Sequence, residues 1–190
     1  LYTKYINFIG ANMKLFIVIF LFINLLYKSH AGEINWTLSG TDSYNSIQIN
    51  ENHLVMNYEM AAGQFETDTS LFGFMTCFGT VEMKNSKLSQ TIFCTITDSY
   101  GHKGYTKSVP ATKKKLAGNL LGDRVGSSIG SWEFIGGEGP FIELIGTTMT
   151  GAYFQMGNND SGLGNFVWKG KAEGLSDSVI SRINNYTRKD

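Results

Sequence analysis

The stretch 74–97, FMTCFGTVEMKNSKLSQTIFCTIT, decides the fold. It reads as two alternating runs, Phe74–Met83 and Leu88–Thr97, on either side of Asn85-Ser86. Alternation of apolar and polar residues marks a strand with one buried face, and a two-residue turn between two such runs makes a β-hairpin. Counting outward from that turn, Val81 faces Gln90, Gly79 faces Ile92, Cys77 faces Cys94 and Met75 faces Ile96. The shared face is largely apolar, so the register is self-consistent; a slip by one residue would turn it to solvent. Counting back from the hydrogen-bonded pair Lys84/Lys87 puts Cys77/Cys94 at a non-hydrogen-bonded position, where Cα atoms are about 4.5 Å apart. That spacing suits a disulfide. An oxidising compartment would form it, and the closed loop would contribute about 3 kcal/mol on the chain-entropy model. The alternative is two buried thiols. A redox-active pair is not expected, because no Cys-x-x-Cys spacing exists.

The rest of the chain repeats the pattern with glycine punctuation. Short strands are expected at Ile34–Leu38, around Ile47 and Ile49, and along Leu54, Met56, Tyr58 and Met60. Others follow at Gly104–Val109, Ser131–Ile135, Thr147–Gln155 and Asn165–Ala172. Gly136-Gly137-Glu138-Gly139-Pro140 breaks one of them. Lys113-Lys114-Lys115 reads as a solvated loop. Residues 176–190 form a short helix or a tail, with Ser176 as N-cap and Val179, Ile180 and Ile183 inward. Eight or nine short strands at regular spacing predict a barrel or sandwich, and closure into a barrel removes exposed edges. The expected fold is all-β: an eight-stranded antiparallel β-barrel over 32–175, with a short C-terminal helix or tail. No linker divides it.

The first 31 residues stand apart. They carry Lys4, Lys14 and Lys28 and no acid. Met13-Lys14 precedes an apolar run, Leu15–Leu26, shorter than the about 20 residues that a membrane-spanning helix needs. This is the hydrophobic region of a secretory signal, 13–31, with Ser29 and Ala31 at the cleavage positions. The alternative is an uncleaved anchor. Residues 1–12 read as upstream leader. The expected location is therefore secreted or periplasmic, with no membrane contact after cleavage.

Composition narrows the function classes. The chain has 190 residues, with 16 basic and 16 acidic side chains. Without the three leading lysines the balance is acidic, which argues against nucleic acid as a partner. Charged residues are 17%, too few and too well interleaved with apolar ones for a disordered chain. Gly126-Ser127-Ser128-Ile129-Gly130 matches the nucleophile-elbow pattern, but a strand follows it rather than a helix, and both His53 and His102 precede the serine. No histidine or cysteine spacing makes a metal site, and the glycine clusters lack the endings of phosphate or dinucleotide loops. Glu133 and Glu143 flank a glycine turn without any sign that they converge. Asn35, Asn159 and Asn185 begin N-glycosylation acceptor patterns. No catalytic residue, cofactor or metal is expected.

Two segments carry a resemblance. Phe93-Cys94-Thr95-Ile96-Thr97-Asp98-Ser99-Tyr100-Gly101-His102-Lys103 resembles a Cys-x-x-x-Asp-x-x-Gly strand and turn. The block from Gly130-Ser131-Trp132 to Gly136-Gly137-Glu138-Gly139-Pro140-Phe141 and the closing Trp168-Lys169-Gly170 are similar to later parts of the same proteins. These are small secreted bacterial barrels related to the allene oxide cyclase and dirigent barrels. The resemblance implies an eight-stranded antiparallel barrel. Pro140, Glu138, Glu143 and His102 depart from its pattern, and no family catalytic residue maps onto this chain.

An eight-stranded interior holds side chains or one small ligand. The expected function is a non-catalytic barrel that binds a small apolar ligand or a partner protein, with Met75, Val81, Ile92 and Ile96 lining the interior. The alternatives are a cyclase- or isomerase-type enzyme acting on an apolar substrate, and a structural barrel with a filled core.

Overall fold

The computed structural model describes residues 31–110, 125–158 and 163–186. The expected leader, 1–12, and the expected signal segment up to residue 30 lie outside them, as do Lys113-Lys114-Lys115 and the acceptor pattern at Asn159.

The central hairpin has the register that its alternation predicts. Asn85 and Ser86 take positive φ, 50° and 60°, the turn whose twist matches that of paired strands. From it, β3 (Phe72–Lys84) and β4 (Lys87–Asp98) pair without a break from Lys84↔Lys87 to Gly73↔Asp98. Cys77 opposes Cys94 and the two form a disulfide, with Cα atoms 4.0 Å apart.

On one side of this hairpin lie β1 (Gly32–Asn50) and β2 (His53–Thr67). On the other lie β5 (Lys103–Val109), β6 (Val125–Gly137), β7 (Thr148–Asn158) and β8 (Leu163–Leu175). Each pairs antiparallel with the next, and β8 pairs back onto β1, so the sheet closes into an eight-stranded barrel. The short strands expected at Ile34–Leu38 and at Ile47/Ile49 are one continuous strand, β1. Between them Gly40 and Thr41 are paired on both sides, and the irregularity lies in β2. There Met60 and Ala61 together oppose Asp42, a bulge that bends the strand.

Alternation sorts the faces. Inward residues are mainly apolar, while the outer face carries ion pairs such as Lys107–Glu133 at 3.2 Å and Lys171–Glu33 at 2.9 Å. The same face also exposes large apolar side chains, among them Phe74, Phe78, Phe93, Phe154 and Val167. Among the described residues, no helix is long and apolar enough to cross a membrane.

One end of the barrel is plugged. After β6, Gly139–Leu144 forms a 3-10 helix with Phe141 and Leu144 fully buried. After β8, α1 (Asp177–Asn184) folds with Ser176 as N-cap; its hydroxyl accepts a bond from Val179 N at 3.3 Å. Ile183 is buried, and Val179 and Ile180 pack against the core. Ser70, in the β2–β3 turn, bonds both Ile183 O and Asn184 Oδ1. Inside this end Trp36 stacks on Phe65, ring centroids 5.3 Å apart, and lies 5.9 Å from Phe134.

Candidate ligand site in the barrel lumen

From mid-height toward the other end, inward side chains keep partial exposure. Leu38, Met56, Tyr58, Trp132 and Tyr153 all point into a closed barrel, pack against the core, and remain only half-buried.

A polar cluster sits among them. Asp42 reaches inward from β1 and is 2% exposed. Its Oδ2 accepts from Tyr44 OH at 3.2 Å and from Tyr153 OH, and its Oδ1 accepts from Gln155 Nε2 at 2.7 Å. The hydroxyls of Tyr44 and Tyr153 are 3.1 Å apart. Gly164, on β8 opposite Asp42, makes room for this: a Cβ there would press on Gln155 and stand 2.7 Å from Asp42 Oδ1. Burial pushes the Asp42 carboxyl above its ordinary value, opposed by the bonds from Tyr153, Gln155 and Tyr44. Burial likewise holds the phenols of Tyr44, Tyr58 and Tyr153 well above theirs, so all three stay protonated donors. The rings extend the cluster: Tyr44 lies 5.5 Å from Tyr58, and Tyr153 stacks on Phe166 at 5.4 Å.

Below this cluster, three glycines stand side by side on the inner face, Gly130↔Gly151↔Gly170 across β6, β7 and β8. The Trp168 ring lies across two of them. A Cβ on Gly151 would come within 2.6 Å of that ring, and one on Gly170 would overlap it. Gly130 is the least crowded of the three. A Cβ there would meet, beyond its own chain neighbours, only the indole nitrogens of Trp132 at 3.5 Å and Trp168 at 3.8 Å. Trp168 is 4% exposed, and its Nε1 has no hydrogen-bond partner among the described residues.

Met75, Val81, Ile92 and Ile96 all face inward and are buried, forming the β3–β4 wall around the disulfide. Nothing in the sequence reading singles out Asp42, Tyr44, Tyr153 or Gln155, and Trp132 and Trp168 enter it only within the blocks that carry the family resemblance. Reading β1 as one strand would have put Asp42 and Tyr44 in phase with Ile34, Trp36 and Leu38.

The other residues weighed from the sequence take structural roles. Glu133 pairs with Lys107, and Glu143 with Arg182 at 2.7 Å, so these two acids do not converge. The Arg182 guanidinium holds the Glu143 carboxyl below its ordinary value. Asp98 organises the β4–β5 turn by accepting from Tyr100 N and His102 N, both at 2.9 Å, with His102 Nδ1 2.8 Å away. His53 pairs with Glu82 at 2.6 Å. Among the described residues, no group of three or more His, Cys, Asp or Glu side chains could hold a metal ion. No family model, curated protein or solved structure matches the chain.

Proposed function

We propose that this chain is a secreted or periplasmic barrel of the allene oxide cyclase and dirigent type, and that it binds a small apolar molecule in its lumen. The observation that carries the reading is the partial exposure of inward-facing Leu38, Met56, Tyr58, Trp132 and Tyr153. A barrel filled by its own side chains would bury them, as the plugged end buries Phe134 and Phe141. Apolar walls with a few convergent polar groups are the usual make-up of a small-molecule site. The disulfide supports export, since such bonds persist in oxidising compartments.

Native mass spectrometry of protein purified from its own host tests the reading. The expected result is a retained mass of ligand size that is lost on denaturation. An empty protein that also shows no thermal shift across a lipid and terpenoid panel would overturn it.

A cyclase- or isomerase-type activity is the second reading, and Asp42 favours it. A carboxyl whose pKa is raised by burial, bonded to tyrosine hydroxyls beside an apolar lumen, is suited to proton transfer. Recovery of a bound compound chemically unchanged after prolonged incubation separates binder from enzyme.

A further inference from the structure

Resting on the reading of the lumen as a small-molecule site, we infer that its occupant is a neutral apolar compound bearing a carbonyl, whose oxygen accepts from the indole N–H groups of Trp132 and Trp168 above Gly130.

The donors come first. A buried N–H without an acceptor costs free energy, and native structures rarely leave one so. Trp168 Nε1 is such a group, and it lies 3.8 Å from the point where a Cβ on Gly130 would stand, with Trp132 Nε1 3.5 Å from the same point. Both nitrogens can only donate, so the group they take must accept. The carboxyl in the lumen is already engaged: Asp42 receives bonds from Tyr44, Tyr153 and Gln155.

Charge narrows the class. By strand alternation, no lysine or arginine among the described residues faces the interior, while Asp42 does. An anionic head would meet a carboxyl and no cation. A neutral acceptor on an apolar body fits, and a carbonyl is the simplest such group.

Trp36 serves as an internal contrast. Its Nε1 also lacks a partner among the described residues, but its ring lies between Phe65 and Phe134 in the plugged end. It should not respond to an occupant above Gly130.

Three probes on one carbon skeleton test this: limonene (hydrocarbon), carvone (ketone) and perillic acid (carboxylate at neutral pH). Affinities are measured by titration, and the indole signals of 15N-labelled protein are followed by NMR. Carvone should bind about tenfold more tightly than limonene, the worth of one well-made hydrogen bond, and perillic acid more weakly than carvone. Carvone should move the indole signals of Trp132 and Trp168 well beyond the shift limonene causes, and leave that of Trp36. Trp168→Phe keeps a ring over the glycines and removes the donor, so it should abolish the preference for carvone while limonene binding persists. If that variant does not fold, the wild-type indole spectrum still decides. Equal affinity for carvone and limonene, an unmoved Trp168 signal or tightest binding of perillic acid would overturn the inference and leave the lumen reading standing. Failure of all three to bind would overturn both.

Discussion

Tyr153 donates its phenolic hydrogen to the Asp42 carboxylate across 111 positions of sequence, tying β7 to β1 over the strand between them. The bond sits where burial raises the Asp42 pKa from its ordinary 3.8. A carboxyl whose folded pKa lies above its unfolded value stabilises the fold fully below the unfolded pKa, and that stability is lost as pH rises through the folded one. Asp42→Asn removes the charge and keeps the shape. Its thermal midpoint should therefore gain on the wild type as pH rises from 3 to 7. A gap that narrowed over that range would mean that the three donors outweigh burial.

Asp42→Ala should behave differently. It would leave the Tyr153 and Gln155 donors without their acceptor, which costs about 1–3 kcal/mol. Urea unfolding should show that loss with little change in slope. A neutral outcome would show that the cluster finds other partners.

The glycine row predicts a graded response. A Cβ on Gly151 would strike the backbone of Gly170 at 2.5 Å as well as the Trp168 ring. Gly151→Ala should cost about 1–3 kcal/mol by overpacking. Gly130→Ala meets only ordinary contacts at 3.5 and 3.8 Å and should cost far less. Chemical denaturation of the two variants checks the order.

Removing the Cys77–Cys94 bond by Cys77→Ala/Cys94→Ala should lower stability by about 3 kcal/mol, the cost for a loop of this size on the chain-entropy model. For a domain of this length that is a fall of roughly 6–12 °C in thermal midpoint. Alkylation with and without reductant, read by mass, confirms the starting bond. An unchanged midpoint would mean that the barrel already constrains the hairpin.

Ile183 ties α1 to the plugged end and is fully buried. Ile183→Ala should cost about 2–5 kcal/mol. Because the helix plugs the end opposite the half-exposed side chains, binding in the lumen should survive in the fraction that remains folded. Calorimetry and a ligand titration on the same sample separate the two effects.

Local pattern carries most of this fold and little of its site. Alternation around Asn85-Ser86 sets the β3–β4 register down to the cysteine pair, because each side chain's face follows from its distance to the turn. Asp42 escapes the same logic. Gly40-Thr41-Asp42 has turn chemistry by composition, and pairing with Phe166, Asn165 and Gly164 on β8 and with Gly63 and Ala62 on β2 holds it extended. Met60–Gly63 adds a shift of phase that no alternation count anticipates. The lumen cluster draws on β1, β2, β7 and β8, so no local segment announces it. Trp132 and Trp168 are visible as residues, yet their meeting above Gly130 depends on a glycine register across three strands.

The closure of β8 onto β1 has a kinetic meaning. Gly32 lies opposite Leu175 and Trp36 opposite Gly170, pairings that span almost the whole described chain, whereas β3 and β4 zip from a two-residue turn. Non-local contacts await chain closure and are slow to form. Until the seam shuts, the molecule is a curved sheet with two bare edges, with Trp36 beside one and Phe166 and Trp168 beside the other. Bare edges invite pairing between chains. Self-association during refolding should therefore begin at this seam and fall away once Gly32 reaches Leu175.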